Sequence, residues 1–113
     1  MLKRRYRLSA RTKWRGKSIK TPFFILKVAQ NGLLYNRFSF TVSKKVDKRA
    51  VVRNRVKRRL RSCIEEIFTD LKKGYDMGFL IKKEAVSTTT DKLCLLIKNT
   101  LKTEGVIERS QTS

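Results

Sequence analysis

Ten of the 18 residues from Lys44 to Arg61, KKVDKRAVVRNRVKRRLR, are lysine or arginine, and Asp47 is the only acid among them. These side-chain types do one kind of chemistry well. Arginine forks hold phosphate oxygens in pairs, and lysine supplies a compact positive charge. An asparagine such as Asn54 bonds either a phosphate or a base edge. The stretch therefore reads as a polyanion-binding surface. No other chemistry is offered. The chain has no histidine, which removes the commonest general base and any Ser-His or Cys-His nucleophile pair. Two cysteines without histidine make no credible zinc site. The nine acidic residues do not cluster in a metal-binding pattern; Glu65 and Glu66 are adjacent, hence about 100° apart on a helix. No glycine-rich phosphate loop appears. These features predict a chain without an active site of its own.

The element that must position the cations is a helix, expected over residues 48 to 72. Val52, Val56, Leu60, Cys63, Ile64, Ile67, Phe68 and Leu71 recur at spacings of three and four and form one apolar stripe. Asn54, Arg58 and Arg61 then fall on the side away from the stripe. Arg53 and Lys57 lie along one flank, and Arg55 and Arg59 along the other. Asp47 is placed to cap the amino end, and Gly74 to close the far end. Most charge runs are simply solvated helix surface. Such surfaces normally mix signs, because like charges four residues apart repel. Here Arg55 and Arg59 are such a pair, and no acid follows Asp47 until Glu65. The repulsion opposes folding unless a partner screens it, which favours a nucleic-acid face.

The ordered run SKKVDKRAVVRNRVKRRLR, residues 43 to 61, resembles the signature of the bacterial ribonuclease P protein subunit. The matching positions are Ser43, Lys44, Lys45, Arg53, Asn54, Arg55, Lys57, Arg58 and Arg61. The resemblance extends in order of elements over about residues 2 to 107 and is close from about 38 to 68. It implies a protein that binds a catalytic RNA and the 5′ leader of precursor tRNA. Cleavage would be carried out by the RNA with magnesium ions that the RNA binds, and the protein would carry no cofactor. On this resemblance Lys44, Lys45, Arg53, Asn54, Arg55, Lys57, Arg58 and Arg61 are assigned to the catalytic RNA, and Trp14, Phe24, Lys27 and Phe40 to the leader side. Family members usually carry a longer first helix with substrate-facing aromatics; this chain is shorter there and offers Trp14. Their aromatic on the first strand aligns with Lys27, so charge replaces a ring.

The totals agree with such a role. The chain has 113 residues, enough for a single RNA-binding domain, and a net charge of +20. The whole excess lies in the first 61 residues; from residue 62 onward eight basic residues meet eight acidic ones. That asymmetry points to a localised polyanion surface rather than to general solubility. No stretch approaches a membrane-spanning length, and residues 1 to 20 lack the apolar core of a signal peptide. A cytoplasmic protein is expected. In that compartment Cys63 and Cys94, each on an apolar helix face, are expected to be buried as small hydrophobes without a disulfide.

The remaining elements frame the helix. Residues 1 to 20 form a basic arm, with a short helix around 10 to 15 after Ser9 and ending at Gly16. The apolar run 23 to 29 reads as a strand. An Asn-Gly turn follows, and RFSFTVS at 37 to 43 alternates, with Phe38, Phe40 and Val42 on the side facing the helix. The pair predicts an antiparallel hairpin. A strand over 75 to 82 comes after the basic helix. Thr88 then starts a capping pattern with Asp91, and a helix over 89 to 104 buries Leu93, Cys94, Ile97 and Leu101 before Gly105. Residues 106 to 113 are expected to be a flexible tail. The expected fold is a two-layer α/β sandwich, a small sheet with helices on one face. The resemblance implies a left-handed βαβ crossover through the basic helix, against the usual right-handed rule. Two rival readings are a non-catalytic RNA-packing protein of ribosomal type and a DNA-binding helix; the latter lacks a dimerisation element.

Overall fold

The computed structural model describes residues 6–7 and 16–107; the helix expected around 10 to 15, and Trp14 with it, lie outside these. Four strands form one sheet: β1 (Lys17–Lys20), β2 (Phe24–Gln30), β3 (Arg37–Thr41) and β4 (Tyr75–Ile81). Their spatial order is β1-β2-β4-β3. Strand β1 was not anticipated, being short and half lysine. It forms because Gly16 lets the backbone approach closely: a Cβ there would stand 1.7 Å from the Val28 carbonyl oxygen.

The expected β2–β3 hairpin is not formed. Strand β4 inserts between the two, antiparallel to β2 and parallel to β3, with Leu26 opposite Phe79 and Phe38 opposite Met77. The reason lies in burial. Met77, Gly78, Phe79 and Ile81 are all buried, so β4 needs neighbours on both sides, whereas β3 tolerates an edge. The segment after β2 is fastened to the start of β4. The Asn31 N–H donates to the Gly74 carbonyl at 2.9 Å. The Asn36 amide donates to the Lys72 carbonyl at 2.8 Å and accepts the Tyr75 N–H at 2.8 Å. Arg37 makes a two-pronged ion pair with Asp76, both contacts at 2.8 Å, and Asn31 donates to the same carboxylate at 2.9 Å. Gly74, at φ +93°, makes the turn into β4.

One face of the sheet carries the core. Phe24, Leu26, Val28, Phe38, Met77, Phe79 and Ile81 meet the helices α1 (Ala50–Ile67) and α2 (Thr90–Thr103) there. Helix α1 buries Val52, Val56, Leu60, Cys63, Ile64 and Ile67, the stripe expected from its periodicity. It gives way to a 3₁₀ turn, Phe68–Asp70, several residues before the boundary expected from sequence. The amino-end cap also differs. Arg49 occupies the cap position; the Asp47 carboxylate accepts its N–H at 2.9 Å from two positions further out. In α2 the cap is Thr89, whose hydroxyl accepts the Lys92 N–H at 3.2 Å, not Thr88.

Two further expectations are corrected. Cys63 and Cys94 form a disulfide, with 5.0 Å between their Cα atoms. Each lies on the face its helix turns to the other, and the helix contact brings the two together. Val106 and Ile107, assigned to the tail, are 1 % and 6 % exposed. The Val106 carbonyl accepts the Lys72 N–H at 2.7 Å, and Ile107 forms a bridge with Leu71, closing the core below α1. The parallel β3–α1–β4 unit, with the basic helix as its crossover, is present as expected.

Candidate nucleic-acid interface

Helix α1 exposes Asn54, Arg55 and Arg58, and the loop before it exposes Lys44 and Lys45. Arg61, expected on the outer side, is half-buried, as are Arg53, Lys57 and Arg59 on the flanks. Among the described residues, no carboxylate lies within ion-pair distance of Arg55, Lys57, Arg58, Arg59 or Arg61. The first turn contains no acid and the last no base, the reverse of what the helix dipole rewards. Free backbone amides and cations at one end make a strongly positive surface. Helices stabilised for their own sake are not built this way; helices that meet phosphates are.

Two arginines serve the loop as well as the surface. Arg53 donates from Nη1 to the carbonyls of Asp47 at 2.9 Å and Lys48 at 2.8 Å, pinning the turn that carries Lys44 and Lys45. Arg49 pairs with Asp47, Nη2 to Oδ2 at 3.0 Å and Nε to Oδ1 at 3.1 Å. The side-chain and backbone hydrogen bonds from Arg49 hold the Asp47 carboxyl down at about 2. The only acid of the basic run is thereby kept ionised and committed to its neighbour.

Arg61 reaches from α1 over the ring of Phe40 on β3, 5.8 Å from guanidinium carbon to centroid. Phe40 itself stacks on Phe79 at 5.5 Å. Burial, and the nearby charge of Arg7, push the Arg61 pKa down. Arg7 runs beside β3, bridged in parallel to Phe38, and is exposed. Among the described residues no carboxylate pairs with either arginine, and their mutual repulsion is a local cost that a phosphate would offset.

Of the four residues assigned to the leader side, the three that are described do not come together. Phe24 is 0 % exposed and packs edge-on against Phe79 at 5.3 Å. It has no face left for a base, and that assignment is withdrawn. Lys27 lies on the outer face of β2, opposite Gly78; Phe40 lies on the helix side of β3. Trp14 falls outside the described residues. The motif did not single out Arg7, Arg49 or Arg59. Arg59, half-buried, points to the Thr88 carbonyl at 3.5 Å. Only the like-charge crowding at Arg61 marks Arg7, and that requires the folded chain.

Comparison with known proteins agrees with this geometry. The family model described as Ribonuclease P matches residues 2–104. The ribonuclease P protein component of Caldanaerobacter subterraneus subsp. tengcongensis is 33% identical over 96 residues, covering 85% of this chain and 82% of that protein. That of Alkaliphilus oremlandii is 35% identical over 91 residues, covering 80% and 79%. Among solved structures, the RNase P protein of Staphylococcus aureus superposes with a TM-score of 0.80 at 23% identity, covering 91% of this chain and 98% of that one. The RNase P protein of Thermotoga maritima gives a TM-score of 0.71 at 25% identity, covering 78% and 83%.

Proposed function

Because the chain belongs to the ribonuclease P protein family, we propose that α1 and the loop before it are the surface that grips the catalytic RNA. Membership makes the chain the protein component of an RNA-based enzyme that matures the 5′ end of tRNA. The observation that carries the site assignment is the exposed cationic face of α1, where Arg55 and Arg58 meet no carboxylate among the described residues. Arg53, Asn54, Lys57 and Arg61 extend that face, and Lys44 and Lys45 continue it onto the loop. Arginine forks on phosphates would fix the protein's register on folded RNA. Neutralising phosphates lowers the repulsion between catalytic RNA and precursor, so the substrate binds more tightly.

Magnesium belongs to the RNA in this reading. Among the described residues no three histidine, cysteine, aspartate or glutamate side chains converge to hold a cation. No described helix is long and apolar enough to cross a membrane. Lys27, on the outer sheet face, is the remaining described candidate for the leader. Phe40 lies behind Arg61 and supports the catalytic-RNA side.

The test is cleavage of a precursor tRNA by bacterial ribonuclease P RNA at low magnesium, with and without the protein. Stimulation is expected. It is expected to be lost in Arg55→Glu/Arg58→Glu, two exposed positions whose reversal leaves the core untouched. Undiminished stimulation by that folded variant would overturn the assignment.

A further inference from the structure

At the carboxyl end of α1 the surface opens into a cleft of about 480 Å³ that the RNA-binding face does not include. Tyr6, Tyr35 and Phe68 line it, Leu34 stands at its lip, and Lys73 closes one side. The Tyr6 ring meets Tyr35 edge-on at 5.8 Å and Phe68 at 5.1 Å. All three rings are half-buried, so each is held in place yet keeps surface toward the cleft. Leu34 is 89 % exposed. A leucine that open, beside three fixed rings, is not core material.

We propose that this cleft takes a nucleobase from a single-stranded stretch of the RNA bound along α1. The inference rests on the RNA-binding reading above and adds a site to it. Three observations carry it. First, the cleft continues the cationic face. Arg7, the residue after Tyr6, lies near Arg61 and is bridged to Phe38, and the Phe68 ring packs 6.2 Å from the Phe38 ring. Second, charge accompanies the rings. Arg7 follows Tyr6 directly and crowds Arg61, and Lys72 and Lys73 are exposed at the other side. Glu65, Glu66 and Asp70 are the acids at this end of the helix, and the basic side chains of Arg7, Lys72 and Lys73 stand nearer the rings. Third, the chemistry suits a base without choosing one. Aromatic rings stack on any base and bind it independently of sequence. The Asn36 amide is used on both sides by the Lys72 carbonyl and the Tyr75 N–H, so it stiffens the wall and does not read base edges. The cleft is thus a stacking site with phosphate contacts at its rim.

The experiment compares two probes on the whole chain: hexauridylate, and an abasic hexamer with the same phosphates. The wild-type protein is expected to bind hexauridylate roughly tenfold more tightly, within the range that stacking of one base supplies. In Tyr6→Leu/Tyr35→Leu, which keeps apolar bulk and removes two rings, that preference is expected to fall to near unity while affinity for the abasic hexamer is unchanged. No preference in the wild type, or a preference undiminished in the folded double variant, overturns the proposal. Nuclear magnetic resonance of the wild-type protein supplies a readout independent of the variant's folding. Ring protons of Tyr6 and Tyr35 are expected to shift with hexauridylate and not with the abasic probe; equal shifts with both overturn the proposal. Stimulation of precursor cleavage by the same preparation reports on the family reading separately, so the cleft can fail while that reading stands.

Discussion

The guanidinium of Arg61 lies over the ring of Phe40, 5.8 Å from its centroid, and ties the basic helix to the edge strand of the sheet. On the proposed function, one arginine serves both structure and binding. Arg61→Gln is expected to cost about 0.5–1 kcal/mol of stability, the range for a partly exposed cation on an aromatic face. Phe40→Leu removes the same contact and leaves the charge. Urea unfolding of both variants, with catalytic-RNA affinity measured alongside, separates the two roles. Arg61→Gln should lose affinity; Phe40→Leu should retain it.

The grip on RNA should be electrostatic in its salt response. Each phosphate neutralised on a helical RNA contributes a slope of about 0.9 to the fall of log affinity with log salt. Replacing Arg55 and Arg58 by alanine should reduce the slope by roughly 2, one for each lost contact. Binding isotherms over a range of potassium concentrations check this. An unchanged slope would place the two arginines off the RNA.

Asp76 carries three hydrogen bonds, two from Arg37 and one from Asn31. Its side chain is 10 % exposed. Asp76→Ala would leave the half-buried Arg37 without its partner and release the 31–36 loop from β4. A loss of about 2–3 kcal/mol is expected, read from thermal or urea unfolding. A double-mutant cycle with Arg37→Ala should show strong coupling between the two.

Asp47 offers a pH signature. Its pKa is lowered from 3.8 to about 2 by the hydrogen bonds from Arg49. A carboxyl lowered in the folded state contributes stability that is fully present above its unfolded pKa. That contribution is lost as pH falls through the folded value, here between about 4 and 2. The carboxyl carbon resonance of Asp47 should titrate near 2 in the native protein. In Arg49→Ala it should move up toward the ordinary carboxylate range. Unaltered titration in that variant would detach the Asp47 shift from Arg49.

The Cys63–Cys94 link joins helices whose cysteines are 31 residues apart in sequence. A cross-link of that span stabilises by about 3.5–4 kcal/mol where restriction of the unfolded chain dominates. Oxidised protein should melt well above protein kept in reductant. Equal melting temperatures would show that the bond contributes nothing net.

What was legible in the sequence follows from the range over which each signal acts. The α1 stripe is periodic within one element, so Val52, Val56, Leu60, Cys63, Ile64 and Ile67 could be placed on one face, and they are buried there. The same period placed Asn54, Arg58 and Arg61 outward; the first two are exposed, whereas Arg61 is half-buried over the Phe40 ring. Strand β4 was legible as a strand, but its partners were not. Pairing depends on which strand most needs cover, and Gly78 and Phe79 reveal that only against Lys27 and Leu26. Phe24 shows the same limit. Its place in an apolar run is compatible with either face, and the packing of Phe79 decides for the core. The meeting of Cys63 with Cys94, of Arg7 with Arg61, and of Tyr6 with Tyr35 and Phe68 all join distant parts of the chain, and no local pattern encodes them.

The insertion of β4 between β2 and β3 has a consequence for the order of events on the ribosome. When β3 and the basic helix have been synthesised, the strand that must separate β2 from β3 has not. Both inner edges stay open, and the apolar stripe of α1 has no complete sheet to lie on. The cations of α1 nevertheless exist from the moment residue 61 emerges. A nascent chain therefore carries its RNA-seeking charge before it has a finished scaffold.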